Sequence, residues 1–116
     1  VIGADESTVK VKYDKDLNKT CFATKFSVSP QNTVSLKIRY ELPFKLDMSP
    51  IDTYKLTAQK QPGSVGSIFT KTLKLKDAEA KTYASYPESA FLDGQNKIIY
   101  ADNLEYDRYF SAVIGE

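Results

Sequence analysis

Strict alternation of apolar and polar residues marks Val34-Ser35-Leu36-Lys37-Ile38-Arg39-Tyr40-Glu41-Leu42, with Val34, Leu36, Ile38, Tyr40 and Leu42 on one parity. A period of two is that of a strand with one face on a core, so the pattern predicts a central strand with Leu36 and Ile38 buried. Val9, Val11 and Tyr13 alternate with Lys10 and Lys12, and Phe22, Phe26 and Val28 share a parity interrupted at Thr24, which predicts two earlier strands. Asp14 to Lys19 and Ser29-Pro30-Gln31-Asn32 carry the residues that favour turns and would join the three as successive antiparallel hairpins.

Beyond Pro43 the stretch from Phe44 to Pro50 reads as a longer excursion, and Tyr54, Leu56 and Ala58 then alternate with Lys55, Thr57 and Gln59 as a fourth strand. Gln61-Pro62-Gly63-Ser64-Val65-Gly66 is a turn, with Pro62 presetting φ and Gly63 available for a positive φ of type II. Phe69, Lys71, Leu73 and Leu75 form a fifth strand in which one lysine breaks the apolar face. Asp77 to Lys81 is too short to stand as a helix. Tyr83 to Tyr86, Lys97 to Ala101 and Arg108 to Ile114 complete the strands, the second of them entered from an Asp93-Gly94 turn. Seven or eight short strands at regular spacing predict an all-β, immunoglobulin-like antiparallel sandwich.

The length of 116 residues fits one domain spanning 1–116. Apolar residues make up 41% and charged residues 27%, a balance that excludes wholesale disorder and membrane spanning by this segment. Sixteen Lys and Arg against fifteen Asp and Glu leave a net charge of +1 with the lysines dispersed, which argues against a nucleic-acid partner. The first residues, Val1 to Glu6, lack an initiating Met and a signal pattern, as in an excised or processed piece.

The chain has no histidine, which removes the usual general base and the commonest metal ligand. With Cys21 as the one cysteine, a structural zinc site and an intramolecular disulfide are excluded, and Cys21 itself is expected to be a buried small hydrophobe. Asp14, Asp16 and Asn18 have the opening spacing of a calcium loop, but Lys19 and Lys25 stand where the glycine and the bidentate acid are needed. Asp102, Glu105 and Asp107 are the carboxylates most able to form an acid pair, yet acids flanked by Tyr and Arg in a loop are expected to be solvated or ion-paired. Asn18-Lys19-Thr20 is formally a glycosylation acceptor and is given no weight. Neither catalysis nor a cofactor is implied. Among the aromatics, Tyr13, Phe22, Phe26, Tyr40, Tyr54 and Phe69 lie on core parities, whereas Tyr83, Tyr86, Tyr106 and Tyr109 are the candidates for an exposed binding surface.

The run Tyr54-Lys55-Leu56-Thr57-Ala58-Gln59-Lys60-Gln61-Pro62-Gly63, preceded by Tyr40-Glu41-Leu42-Pro43-Phe44, resembles the C-terminal part of large, single-anchor bacterial envelope proteins. Their ectodomain is known only as a domain of unknown function, seen especially in small-genome candidate-phylum bacteria. The resemblance covers roughly Cys21 to Leu75, and Pro30-Gln31 replaces the Pro-Gly that the family carries in its earlier turn. It implies a place outside the cell envelope and a β-sandwich, with no catalytic residues to carry over. Gln59, Lys60, Gln61, Pro62 and Gly63 are therefore expected to fix a turn, with the two glutamine amides satisfying its backbone groups. The expected function is that of a non-enzymatic, monomeric, extracellular module acting as a spacer or as a contact domain for protein or glycan. The alternative is a fibre or pilus subunit assembled by strand exchange, through Val1 to Thr8 or Arg108 to Glu116.

Overall fold

The computed structural model describes residues 9–40, 42, 45–47, 49–77, 79–94 and 96–115. The protein is all-β, with antiparallel sheets and eight strands among the described residues. It divides into two compact units, Val1–Pro43 and Phe44–Glu116.

In the first unit β1 (Lys10–Asp14) and β2 (Lys19–Ala23) form an antiparallel hairpin that runs in register from Lys10 opposite Ala23 to Asp14 opposite Lys19. Its turn is built by its own polar side chains. Asp14 Oδ1 accepts the N–H groups of Asp16 at 2.9 Å and Leu17 at 3.1 Å, and Asn18 takes a positive φ of 51° that asparagine tolerates. The Tyr13 hydroxyl donates to the Asn18 side chain. The Asp14 carboxylate is thus committed to the turn.

Past β2 the first unit departs from the sequence reading. The described part of 34–42 forms no strand, only an isolated bridge at Lys37, and Ile38 is 62% exposed while Leu36 is half-buried. Alternation records an amphipathic segment, but a strand also needs a neighbouring edge to complete its hydrogen bonds and a layer to cover its apolar side. None of the described residues of this unit is buried. For the same reason Tyr13, Phe22, Phe26 and Tyr40 are exposed rather than core, and Cys21, on a two-stranded ribbon, is exposed instead of buried. The turn at Ser29 to Asn32 does form, closed by Asn32 N–H donating to Ser29 C=O at 3.1 Å, with Gln31 at φ 63°.

The second unit is a sandwich of two three-stranded sheets. β3 (Ile51–Ala58), β8 (Arg108–Gly115) and β5 (Lys81–Tyr86) make one sheet with β8 in the centre. β4 (Ile68–Lys74), β7 (Lys97–Asn103) and β6 (Phe91–Leu92) make the other with β7 in the centre. Except for the β6–β7 hairpin, successive strands alternate between the sheets. A bulge between Thr82 and Ala84 shifts the pairing of β5 with β8.

Side-chain parity explains the packing. Tyr54 on β3, Ile98 and Tyr100 on β7, and Phe110, Ala112 and Ile114 on β8 point inward and are buried, with Leu56, Phe69 and Leu73 packed against them. Tyr100 and Phe110, one from each central strand, stack at 6.1 Å between ring centres with an angle of 18° and join the two sheets. Tyr54 meets Phe110 edge-on at 6.2 Å, and Phe69 meets Tyr100 edge-on at 6.2 Å, so four rings form one row through the core. Lys71, the lysine on the apolar parity of β4, lies with its ammonium 5.1 Å from the centre of the Tyr54 ring.

Candidate functional site

Three strand ends converge at one end of the second unit. β8 starts at Arg108, and its first residues pair with Ala58, Thr57 and Leu56 of β3. On the other side β5 reaches only to Tyr86, opposite Ser111, before Pro87. Proline has no N–H to continue a ladder, so β5 stops short of Arg108 to Phe110. The notch left beside the start of β8 is lined by Tyr86, Pro87, Ser89, Tyr100, Asp102, Asp107, Arg108 and Tyr109, with a volume of about 130 Å³.

The polar groups of the notch are held in place by one another. Asp102 Oδ1 accepts the N–H of Asn103 at 2.7 Å and lies 3.5 Å from an Arg108 guanidinium nitrogen, while Oδ2 accepts the Tyr100 hydroxyl at 3.2 Å. Arg108 also donates from Nε to Asn103 C=O at 2.8 Å and from its terminal nitrogen to Asn103 Oδ1 at 2.5 Å, with its plane over the Tyr106 ring at 5.8 Å. Asp107 Oδ1 accepts the N–H of Lys60 at 2.8 Å. Burial raises the Tyr100 phenol above its ordinary value of 10.0, and the Asp102 carboxylate beside it adds to the effect by charge and as acceptor of the phenolic proton.

Of the three grouped carboxylates, Asp102 and Asp107 line the notch, and Glu105 stays outside it with its N–H bonded to Asn103 Oδ1 at 3.2 Å. Asp102 is the ion-paired one. Tyr86 and Tyr109 also line the notch and are 59% and 57% exposed, while Tyr83 and Tyr106 are exposed elsewhere on the surface. Pro87 and Ser89 are hidden from sequence reasoning, and Tyr86 is legible there only as an exposed tyrosine, because all three reach Asp102 and Arg108 only through the alignment of β5 with β8. The signal that points to Tyr109 is its parity, opposite to that of Phe110, Ala112 and Ile114.

Gln59 to Gly63 follow the Ala58 end of β3, the end that pairs with Arg108. Ser64 N–H donates to Gln61 C=O at 3.2 Å across Pro62 and Gly63, and Gly63 has φ 79°, which are the marks of a type II turn. Gln59 and Gln61 are exposed. The backbone group at the end of the strand, Lys60 N–H, is satisfied by Asp107, so the turn is tied to the margin of the notch by a carboxylate rather than by a glutamine amide. Nothing lies within 4 Å of a Cβ built on Gly63, so a substitution there meets backbone strain alone. Gly63→Val is expected to destabilise by about 1 kcal/mol or more, read from the denaturant midpoint, because a β-branched residue resists positive φ. An unchanged midpoint would mean the turn has no need of the left-handed conformation.

Among the described residues no group of three or more acidic or cysteine side chains is arranged to hold a metal ion, and no helix is long and apolar enough to cross a membrane. No family model, curated protein or solved structure matches the chain.

Proposed function

We propose that the chain is a non-enzymatic contact module of a bacterial cell-surface protein, exposed outside the cell, and that the notch at the end of its sandwich is where it makes contact. The observation that carries this reading is the notch itself: an open recess whose acids and arginine are fixed by backbone and side-chain bonds, next to two solvent-facing tyrosines. Few convergent polar groups beside aromatic surface are what a recognition site needs. Both oxygens of Asp102 and one of Asp107 are already accepting bonds, which suits fixed acceptors better than groups that shuttle protons. The cell-surface setting rests on the likeness of Tyr54 to Gly63 to envelope proteins.

Strand exchange through the C-terminal segment is disfavoured by the fold, because β8 is the central strand of its sheet and pairs on both sides. The other segment named for exchange, Val1 to Thr8, lies outside the described residues.

Labelled protein added to isolated bacterial envelopes tests the reading. Saturable binding is expected, together with a single monomeric species in sedimentation, and a Tyr86→Ala/Asp107→Asn variant that melts within a few degrees of the parent should not bind. Equal retention of the variant and the parent would remove the notch from the function. Dilution-resistant ladders would replace the module with a fibre subunit.

A further inference from the structure

We infer that the notch takes a neutral sugar ring, as the end of a glycan chain, with Tyr86 and Tyr109 as its stacking platform and Asp107 as its acceptor. This rests on the contact reading of the same notch and names its ligand class.

The platform follows from register. Tyr86 stands opposite Ser111, and Tyr109 lies two residues before Ser111 on the same strand, so both tyrosines leave the sheet on one side as diagonal neighbours. At that spacing two aromatic side chains can form one continuous surface. Both are more than half exposed, whereas Tyr100 is 2% exposed and stacked on Phe110, so its ring is part of the core. The notch therefore offers an open two-ring floor and not an enclosing cage.

Charge narrows the ligand further. The Arg108 guanidinium is spent on Asp102, Asn103 and Tyr106, so it is not directed at an incoming anion. The Asp102 and Asp107 carboxylates outnumber its charge at the wall of the recess, but an open floor lacks the several rings with which cation sites surround their ligand. Asp107 keeps Oδ2 without a partner among the described residues, and Ser89 lines the same recess. A ring with an apolar C–H face and several O–H donors matches two tyrosine faces beside a carboxylate acceptor and a serine. The recess is small and open, with a volume of about 130 Å³, so one ring can rest on its floor while the rest of a glycan stays in solvent.

The experiment is a titration of the ¹⁵N-labelled full chain with methyl glucoside, N-acetylglucosamine and methyl galactoside, with choline chloride and sodium phosphate as the charged probes. Amide shifts confined to Tyr86, Ser89, Asp107 and Tyr109 are expected with at least one sugar. Tyr109→Ala should weaken that binding by about tenfold or more while Tyr109→Phe retains it, since the stacking face and not the hydroxyl is used. Asp107→Asn keeps an acceptor oxygen toward Lys60 N–H and should weaken binding without unfolding the chain. Shifts with choline or phosphate and none with the sugars would overturn the saccharide assignment while leaving a contact site in the notch. Silence with every small probe, together with envelope binding that still depends on Tyr86 and Asp107, would overturn it in favour of a protein partner. Silence in both assays would sink the contact reading as well.

Discussion

Phe110→Ala is expected to lower the free energy of unfolding by about 3–5 kcal/mol, the range for removing a buried phenylalanine and leaving a cavity. Phe110 is 2% exposed, stacks on Tyr100 across the two sheets and meets Tyr54 within its own. Its removal breaks the row of rings in the middle and separates the central strands of both sheets. A domain of this kind has about 5–15 kcal/mol of stability in total, so the variant should be close to unfolding at moderate denaturant. The comparison is with Phe22→Ala, at a ring 65% exposed on the hairpin ribbon, where the change should stay within about 0.5 kcal/mol. Equal losses at the two positions would contradict the placement of the core in the second unit.

The second large effect is expected at Gly115, the last described residue of β8, which stands opposite Ile51 on one side and Lys81 on the other. A Cβ there would run into the carbonyl oxygen of Pro50 and come within 2.8 Å of Ile51 Cγ2 and 2.9 Å of Tyr83 Cε2. The first of these is backbone and cannot rotate away. Gly115→Ala should therefore cost about 1–3 kcal/mol by overpacking, measured as a fall in the denaturant midpoint, even though alanine is the smallest side chain available. A neutral result would show that the end of β3 can move aside without loss. This glycine differs from Gly63, where space is open and only the sign of φ resists substitution.

Much of the second unit is legible in the order of its residues. The parities of Tyr54, Leu56 and Ala58 and of Phe69, Lys71 and Leu73 are those observed, and even the lysine that interrupts the fifth apolar face has a reason, since its ammonium rests over Tyr54. The strongest alternation in the chain, from Val34 to Leu42, misleads. Alternation says which side of a segment is apolar and says nothing about whether another edge will pair with it. The core row is also out of reach of local pattern, because the stacking of Tyr100 on Phe110 depends on β7 and β8 being central, and centrality is a property of topology.

For the notch, the clustering of Asp102 and Asp107 can be read from their closeness along the chain. Their partners from β5 cannot. The tether from Asp107 to Lys60 joins residues far apart in sequence, as does the meeting of Tyr86 with the start of β8. Such contacts follow from register, which local patterns do not encode when several strands of similar character compete.

The position of β7 and β8 at the centres of their sheets also has a meaning in time. Ile51 can pair only with Gly115 and Ala58 only with Arg108, and Ile68 must wait for Asn103. On a ribosome, β3, β4 and β5 therefore leave the exit tunnel with no permanent neighbour and keep bare edges until the last two strands arrive. Neither sheet can close in halves. Assembly of each sheet is held back until its central strand has emerged and then proceeds through contacts distant in sequence, the kind that form slowly and leave nascent edges open to foreign strands.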